Sequence, residues 1–156
     1  MSSQVTDRRG IEVEAWIAFL RAHSSVTRQF NAELQATHGL TINDFDVLAQ
    51  LALAPERALK RVDLSERVLL TPSGITRLLK GLERAGYVSN RPCAEDARVT
   101  YAVLTDEGYA KLREARKTHA ASVRGLFAER FDRDELESLA ELLERLRNRG
   151  DADPCE

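Results

Sequence analysis

The chain has 156 residues, a length that fits one compact domain with a sizeable core. A hydrophobic fraction of 43% and a charged fraction of 31% are typical of a folded, soluble protein and exclude a disordered one. The sequence has no apolar run of membrane-spanning length, its start lacks the apolar centre of a signal peptide, and two cysteines do not make a disulfide framework. We therefore expect a cytoplasmic protein that has no membrane partner.

The net charge of −2 is unevenly distributed along the chain. Residues 1–58 carry 5 Lys and Arg against 7 Asp and Glu, residues 59–104 carry 8 against 5, and residues 105–156 carry 10 against 13. The net charges of the three segments are therefore −2, +3 and −3. A basic middle segment can present one positive surface to a polyanion, although an imbalance of this size also arises by chance.

The first two predicted elements are helices. Apolar residues recur near the 3.6-residue helical period from Ile11 to about Ala36, and Gly39 is a typical stop. Thr41 is a good N-cap for the second helix because Asp44 stands three residues later. Pro55 is expected to end that helix.

Two shorter helices are predicted next. The first covers residues 61–68, and its apolar side chains are expected to be buried: Val62, Leu64 and Val68. The second follows Thr71-Pro72, since threonine is a good N-cap and proline at the first helical position loses no needed N–H. It is predicted to run to Ala85 and to stop at Gly86.

The remainder of the chain predicts a hairpin and two further helices. Residues 87–91 and 99–104 are predicted strands joined by a polar turn. One helix is expected from Thr105 to about Phe131, and another is opened by residues 132–135. Three helices followed by a hairpin describe a mainly α, winged helix-turn-helix fold. The long outer helices carry apolar stripes that one small lobe cannot cover, which predicts a second copy of the chain.

The predicted helix 72–85 has two faces of different chemistry. Its core face carries Ile75, Leu78, Leu79 and Leu82, and its other face carries Ser73, Thr76, Arg77 and Lys80. The second face holds two hydroxyls, two cations and no carboxylate, while Gly74 keeps the helix start slim. Such groups read base edges and bind phosphates, so the face predicts contact with double-stranded DNA. A solvated face is the alternative, although solvated faces usually mix both charge signs.

The turn of the predicted hairpin adds a second cationic feature. Arg98 stands at its tip, Asp96 precedes it by two residues, and Arg91 lies on the incoming strand. A cationic tip on a stiff hairpin can enter the minor groove of DNA. Because phosphate would repel Asp96, we expect this carboxylate to hold Arg98 or Arg77 in one rotamer. A flexible, solvated turn is the alternative for a lone Asp-x-Arg.

These features together resemble the MarR family of bacterial transcription regulators over nearly the whole chain. The resemblance is carried by LT at 40–41, FDVL at 45–48, DLSER at 63–67, TPSGITRLL at 71–79, LERAGYV at 82–88, EDAR at 95–98 and LTDEG at 104–108. It implies one interwoven domain whose parts are 1–40 and 105–150 for dimerisation, 41–104 for the DNA-binding lobe and 151–156 for a tail.

The resemblance also implies a mode of action. A homodimer joined by its first, fifth and sixth helices would read a near-palindromic operator, with half-sites about one helical turn apart. The helix 72–85 would enter the major groove and Arg98 the minor groove. The protein would act as a repressor that a small ligand or an oxidant releases. The wing departs from the family pattern because Val99, and not a second basic residue, follows Arg98, so we expect the wing to add less affinity.

A ligand site is expected between the dimerisation helices and the lobe. Trp16, Asp46 and Arg91 are the candidates, an arrangement similar to that of a urate-responsive subgroup of the family. A planar anionic or aromatic effector would stack on Trp16 and pair with Arg91. The alternative for Trp16 is a core or dimer contact, and Asp46 is common in the family at large. The subgroup's second arginine has no secure match here, and Lys80 is the nearest candidate.

The sequence predicts neither an enzyme nor a metal or cofactor site. It lacks the serine-hydrolase, phosphate-loop and zinc-protease motifs, and its three histidines are far apart: His23, His38 and His119. Cys93 precedes the wing and could respond to an oxidant, but a passive cysteine is the favoured interpretation, and Cys155 in the tail is expected to be incidental.

A helical protein-interaction module, such as an adaptor, is the alternative function. It would explain the apolar stripes, but it would not explain the acid-free face or the cationic hairpin tip. DNA binding should weaken steeply as salt rises, whereas an apolar protein interface should barely respond.

Overall fold

The structure, a computed structural model, describes residues 10–68, 70 and 72–147. Its helices are α1 (Ile11–His38), α2 (Ile42–Leu53), α3 (Arg61–Arg67), α4 (Pro72–Arg84), α5 (Asp106–Arg130) and α6 (Arg133–Glu144). Its strands are β1 (Ala58–Lys60), β2 (Val88–Pro92) and β3 (Thr100–Leu104). The predicted mainly α, winged helix-turn-helix fold is confirmed. The predictions for Thr71, Cys155 and the tail fall on residues outside this description.

Two predicted helix boundaries rest on caps that the structure contains. Gly39 follows α1 in the left-handed conformation at φ 67°, and its N–H donates to the Gln35 carbonyl at 3.0 Å. At the start of α2, the Asp44 N–H donates to Thr41 Oγ1 at 3.0 Å and the Thr41 N–H donates to Asp44 Oδ2 at 2.8 Å. This reciprocal capping box confirms the helix start expected at Thr41.

The sheet contains one strand that the sequence pattern did not predict. The strand order is β1-β3-β2, and both pairs are antiparallel. Strand β1 pairs Ala58 with Val103 and Lys60 with Tyr101, residues more than 40 positions away along the chain. It thereby ties the segment after α2 to the wing hairpin.

One hydrophobic core runs through the lobe and into the long helices. Its fully buried leucines come from α1, α2, α3, α4 and α5: Leu34, Leu48, Leu51, Leu64, Leu79 and Leu112. The prediction that Val62 is buried is wrong, since its side chain is 59% exposed. Val62 lies two residues before the buried Leu64, and two residues on a helix point to nearly opposite faces.

Large apolar side chains stay exposed near both ends of the described chain. On α1 they are Ile11, Val13, Trp16, Phe19 and Leu20, and around α6 they are Phe131, Leu142, Leu143 and Leu146. These groups occupy the helices that were expected to need a second copy as cover. Within the described residues, no helix combines the length and the apolarity that a membrane span requires.

His119 lies where α1, α2 and α5 meet. Its ring stands edge-on to Phe30 of α1 at 5.1 Å between centroids and tilted to Phe45 of α2 at 5.0 Å. Burial lowers the pKa of the imidazole, and the nearby Glu33 carboxylate raises it to a smaller extent. The neutral ring therefore packs as an aromatic group between the long helices and the lobe.

The first turn of α5 packs against the turn that follows α4. Thr105 donates from its hydroxyl to the Gly86 carbonyl at 2.7 Å and from its N–H to the Tyr87 carbonyl at 3.1 Å. The same hydroxyl accepts the Gly108 N–H at 3.0 Å. Gly108 is buried, and a Cβ at this position would overlap the backbone carbonyl of Tyr87.

Gly108→Ala is expected to lower the free energy of unfolding by about 2 kcal/mol, because the added methyl group must displace a backbone carbonyl in a packed site. Gly81→Ala is the matched control, since the added carbon meets nothing within 4 Å on an exposed helix position. It should raise the free energy of unfolding by about 0.5–1 kcal/mol. Urea unfolding of the three proteins measures both values, and equal effects of the two substitutions would contradict the packing argument.

Candidate nucleic-acid interface

Helix α4 presents the four predicted polar side chains on one surface. Ser73, Thr76, Arg77 and Lys80 line a shallow depression of about 480 Å³. Ser73, Arg77 and Lys80 are exposed, while Ile75, Leu79 and Leu82 on the opposite face are buried. The first turn of α4 contains no acidic residue, so its helix dipole and its cations both favour an anion there. The predicted division of this helix into a core face and a cationic face is confirmed.

A short turn connects α4 to the wing. Gly86 adopts φ 79°, its N–H donates to the Glu83 carbonyl at 3.0 Å, and the Tyr87 N–H donates to the Leu82 carbonyl at 2.9 Å. This pair of bonds closes the end of α4 with a glycine in the left-handed conformation. Strand β2 begins two residues after Gly86, so the helix and the wing are neighbours in the chain.

The wing turn is closed by its own hydrogen bonds. The Cys93 N–H donates to the Val99 carbonyl at 2.9 Å, and the Val99 N–H donates to the Asp96 carbonyl at 3.0 Å. Asp96 Oδ1 accepts the Arg98 N–H at 3.0 Å and the Arg98 Nε–H at 3.2 Å. These two bonds lower the pKa of Asp96, the backbone one most. Of the two partners expected for Asp96, the structure places Arg98 beside it.

The Arg98 side chain projects from this turn and is 91% exposed. Its guanidinium is bonded to Asp96 through Nε at 3.2 Å. Arg91 lies on β2 one residue before its end, opposite Tyr101 of β3, and its guanidinium stands 3.6 Å from Glu56 Oε2 and 5.4 Å from the centre of the Tyr101 ring. Arg98 thus lies in the turn of the wing, and Arg91 lies on the strand that leads into this turn.

The loop that reaches Arg91 has an unusual backbone. Glu56 and Arg57 adopt φ values of 55° and 54°, although neither is glycine. Each side chain has a partner: Glu56 pairs with Arg91, and Arg57 stacks on Tyr109 at 4.1 Å and pairs with Asp106 at 3.1 Å. The loop therefore connects β2 of the wing to the first turn of α5.

The three residues expected to form a ligand site have separate contacts. Trp16 is 57% exposed and stacks on Phe19 at 6.1 Å between centroids. Asp46 is half-buried, burial raises its pKa, and a hydrogen bond from Gln50 lowers it to a smaller extent. Among the described residues, no hydrogen bond, ion pair or ring contact joins any two of Trp16, Asp46 and Arg91. Their convergence stays a prediction.

The other sequence candidates are dispersed. Cys93 is a free, half-buried thiol in the wing turn. His23 lies near Phe19 at 6.3 Å, His38 bonds to Thr118 Oγ1 at 2.9 Å, and His119 packs between Phe30 and Phe45. Among the residues that the structure describes, no group of three or more metal-ligating side chains is close enough to hold an ion.

Sequence reasoning missed one side chain that touches both α4 and the wing strand β2. Arg61 Nη2 donates to Glu83 Oε1 on α4 at 3.0 Å and to Asn90 Oδ1 on β2 at 2.8 Å. Its partners lie 22 and 29 residues away along the chain. No local pattern signals a contact over such separations.

Comparisons with known proteins identify relatives of this chain. A model described as the MarR family matches residues 38–99. The HTH-type transcriptional repressor YetL of Bacillus subtilis (strain 168) is 33% identical over 114 residues, which cover 71% of this chain and 68% of YetL. The HTH-type transcriptional regulator MhqR of the same organism is 26% identical over 134 residues, which cover 86% and 90% of the two chains.

Solved structures show the same architecture. Sco3205, a MarR family transcriptional regulator from Streptomyces coelicolor, was solved in complex with DNA and is 26% identical, with a TM-score of 0.80. That match covers 93% of this chain and 91% of Sco3205. AbsC, a MarR family regulator from the same organism, is 28% identical with a TM-score of 0.77, and the match covers 93% and 95% of the two chains.

Asp96→Ala is expected to loosen the wing tip, because the Arg98 N–H and Nε–H both lose their acceptor. The backbone ¹⁵N order parameter of Arg98 should fall from about 0.85, typical of rigid backbone, towards about 0.6. Glu95→Ala is the matched control, since it removes an exposed carboxylate one residue earlier. An unchanged order parameter in Asp96→Ala would show that the carboxylate does not order the tip.

Proposed function

The chain belongs to the MarR family of transcriptional regulators, and from this premise we propose that it represses transcription by binding an operator through α4 and the wing. The observation that carries the proposal is the acid-free face of α4, with Ser73, Thr76, Arg77 and Lys80, in the same lobe as the exposed Arg98. Arginine on a helix suits guanine O6 and N7 in the major groove. Arginine on a hairpin tip suits a narrow minor groove. Membership of a regulator family also supports the expectation that the chain is not an enzyme.

The partners follow from the same assignment. Exposed apolar groups on α1 and around α6 support a homodimer, since a second copy would remove them from water. A two-fold dimer would place two copies of α4 on one side of the duplex, about one helical turn apart, and would read a near-palindromic operator. Arg91, on β2 just before the wing turn, would contact the DNA backbone beside the tip. Asp96 would serve DNA binding indirectly by orienting Arg98.

Arg77→Ala/Arg98→Ala is expected to weaken binding to DNA from the gene's own upstream region by at least about tenfold, since each lost contact costs about 1–3 kcal/mol. Binding by the wild type should fall steeply as salt rises, and the slope should be shallower in the variant. A titration of labelled upstream DNA at low and high salt measures both effects. Lys117→Ala/Arg133→Ala removes the same charge from exposed positions outside the lobe and should bind as the wild type does.

Two other outcomes of that titration have separate meanings. Equal weak binding to the upstream DNA and to an unrelated duplex would place the operator elsewhere or point to another partner. A folded dimer that binds no DNA at any salt would contradict the proposal and favour the helical protein-interaction module.

Repression and its relief complete the proposed function. YetL, at 33% identity, bears the name of a repressor, which supports repression over activation. We assign the relief to a small anionic or aromatic effector that contacts Trp16, Asp46 and Arg91. The exposed indole of Trp16 offers a stacking surface, the half-buried Asp46 carboxylate can accept an N–H of a purine, and Arg91 suits an anionic oxygen.

Urate is expected to quench the fluorescence of Trp16, the single tryptophan of the chain, and to weaken operator binding over the same concentration range. Because Arg91 is also proposed to contact DNA, each response of Arg91→Ala is measured relative to the variant without urate. Both the quenching and the loss of operator affinity caused by urate should be weaker in this variant, because it lacks the cation that would pair with the ligand. Peroxide, tested on the wild type and on Cys93→Ser, separates release by oxidation from release by ligation. Unchanged operator affinity at millimolar urate would contradict the effector assignment.

A further inference from the structure

One guanidinium connects the two elements that would touch DNA. Arg61 is the first residue of α3, and its Nη2 lies 3.0 Å from Glu83 Oε1 on α4 and 2.8 Å from Asn90 Oδ1 on β2. Both bonds leave from one nitrogen, so the two acceptors are held on either side of a single atom. The link therefore fixes the distance between the last turn of α4 and the middle of β2.

The chemistry of this link is specific to arginine. The Arg61 and Glu83 side chains are each 28% exposed, so water only partly screens their charges. The guanidinium is planar and permanently charged, and its N–H bonds diverge at fixed angles. Its Nε is buried and has no hydrogen-bond partner among the described residues. A buried N–H left unpaired is destabilising, which indicates that the two Nη2 bonds decide where the group lies.

The distance between α4 and β2 would decide whether both elements can reach their grooves in one DNA duplex. Only residues 85–87 separate α4 from β2, so a change in the angle between these two elements is carried directly into the wing. The five residues of β2 span roughly 16 Å, so a tilt of about 10° at the base would move the wing tip by roughly 3 Å. The minor groove is about 6 Å wide, so a displacement of that size takes Arg98 out of it while α4 is in the major groove.

We propose that Arg61 is a positioning residue that sets the angle between α4 and the wing, so that Arg77 and Arg98 reach one duplex together. The inference rests on the proposed function, because it concerns the use of the same DNA-binding surface. Asn90, which accepts the Arg61 hydrogen bond on β2, is part of the same positioning contact although it carries no charge.

The inference is tested by DNA binding and footprinting with variants of the whole chain, and the upstream DNA is the probe. Arg61→Gln and Asn90→Ala should each weaken binding by about tenfold. Hydroxyl-radical protection in the minor groove beside the wing should disappear, while protection of guanine N7 in the major groove persists. Arg133→Gln breaks an exposed arginine–glutamate pair outside the lobe and should change neither protection. Arg61→Lys keeps the positive charge but loses the planar guanidinium with its diverging N–H bonds, so it should resemble Arg61→Gln.

The decisive readout is the effect of Arg61→Gln in an Arg98→Ala background. If Arg61 acts through the wing tip, the second substitution adds little, because there is no tip left to position. If Arg61→Gln destabilised the protein in general, it would lower protection in both grooves, and its loss of affinity would add in full to that of Arg98→Ala. If Arg61 contacted a phosphate directly, its loss of affinity would also add in full. Either result overturns the inference. If both Arg61 variants give the same footprint as the wild type, the inference is overturned and the proposed function stands. If the wild-type protein itself gives no footprint, the proposed function is overturned together with the inference.

Discussion

The contact between residues 86–87 and the first turn of α5 is the constraint on which the rest of the structure depends. Thr105 bonds to both carbonyls of that turn, and Gly108 lets the two backbones approach without a Cβ between them. Three elements meet there, namely the end of α4, the start of β2 and the start of α5. The position of the lobe on the long helices is thus set by one backbone and one side-chain hydrogen bond to two adjacent backbone carbonyls.

The core extends this constraint from the turn to the whole molecule. Leu112 and Ala115 of α5 belong to the same buried cluster as Leu48 of α2 and Leu79 of α4. His119, one turn further along α5, packs on aromatic rings of α1 and α2. Because one close-packed core contains both the long helices and the back of α4, a shift of α5 has a continuous packed route to the cationic face of α4.

Local signals in the sequence were sufficient for most helices and for the division of α4 into two faces. The Thr41–Asp44 capping box and the left-handed Gly39 depend on residues within four positions, and so does the Asp96–Arg98 pair. What could not be predicted depends on distant partners. Strand β1 exists because β3 lies beside it, and Arg61 finds acceptors 22 and 29 residues away. Val62 was assigned to the wrong face because a seven-residue helix has too few apolar positions to define its phase.

A protein with a net charge of −2 can still present a cationic surface if its acids are engaged where they would oppose phosphate. Around the wing and α4, three arginines each have a carboxylate within 4 Å: Arg61 with Glu83, Arg91 with Glu56, and Arg98 with Asp96. Each pair cancels charge locally, yet each also fixes the direction of a guanidinium. Arg77 and Lys80 are exposed on α4, and among the described residues no ion pair joins either of them to a carboxylate. Under the proposed function, this charge distribution would let α4 supply binding energy and the paired arginines supply alignment, and the absence of a second cation after Arg98 agrees with that division.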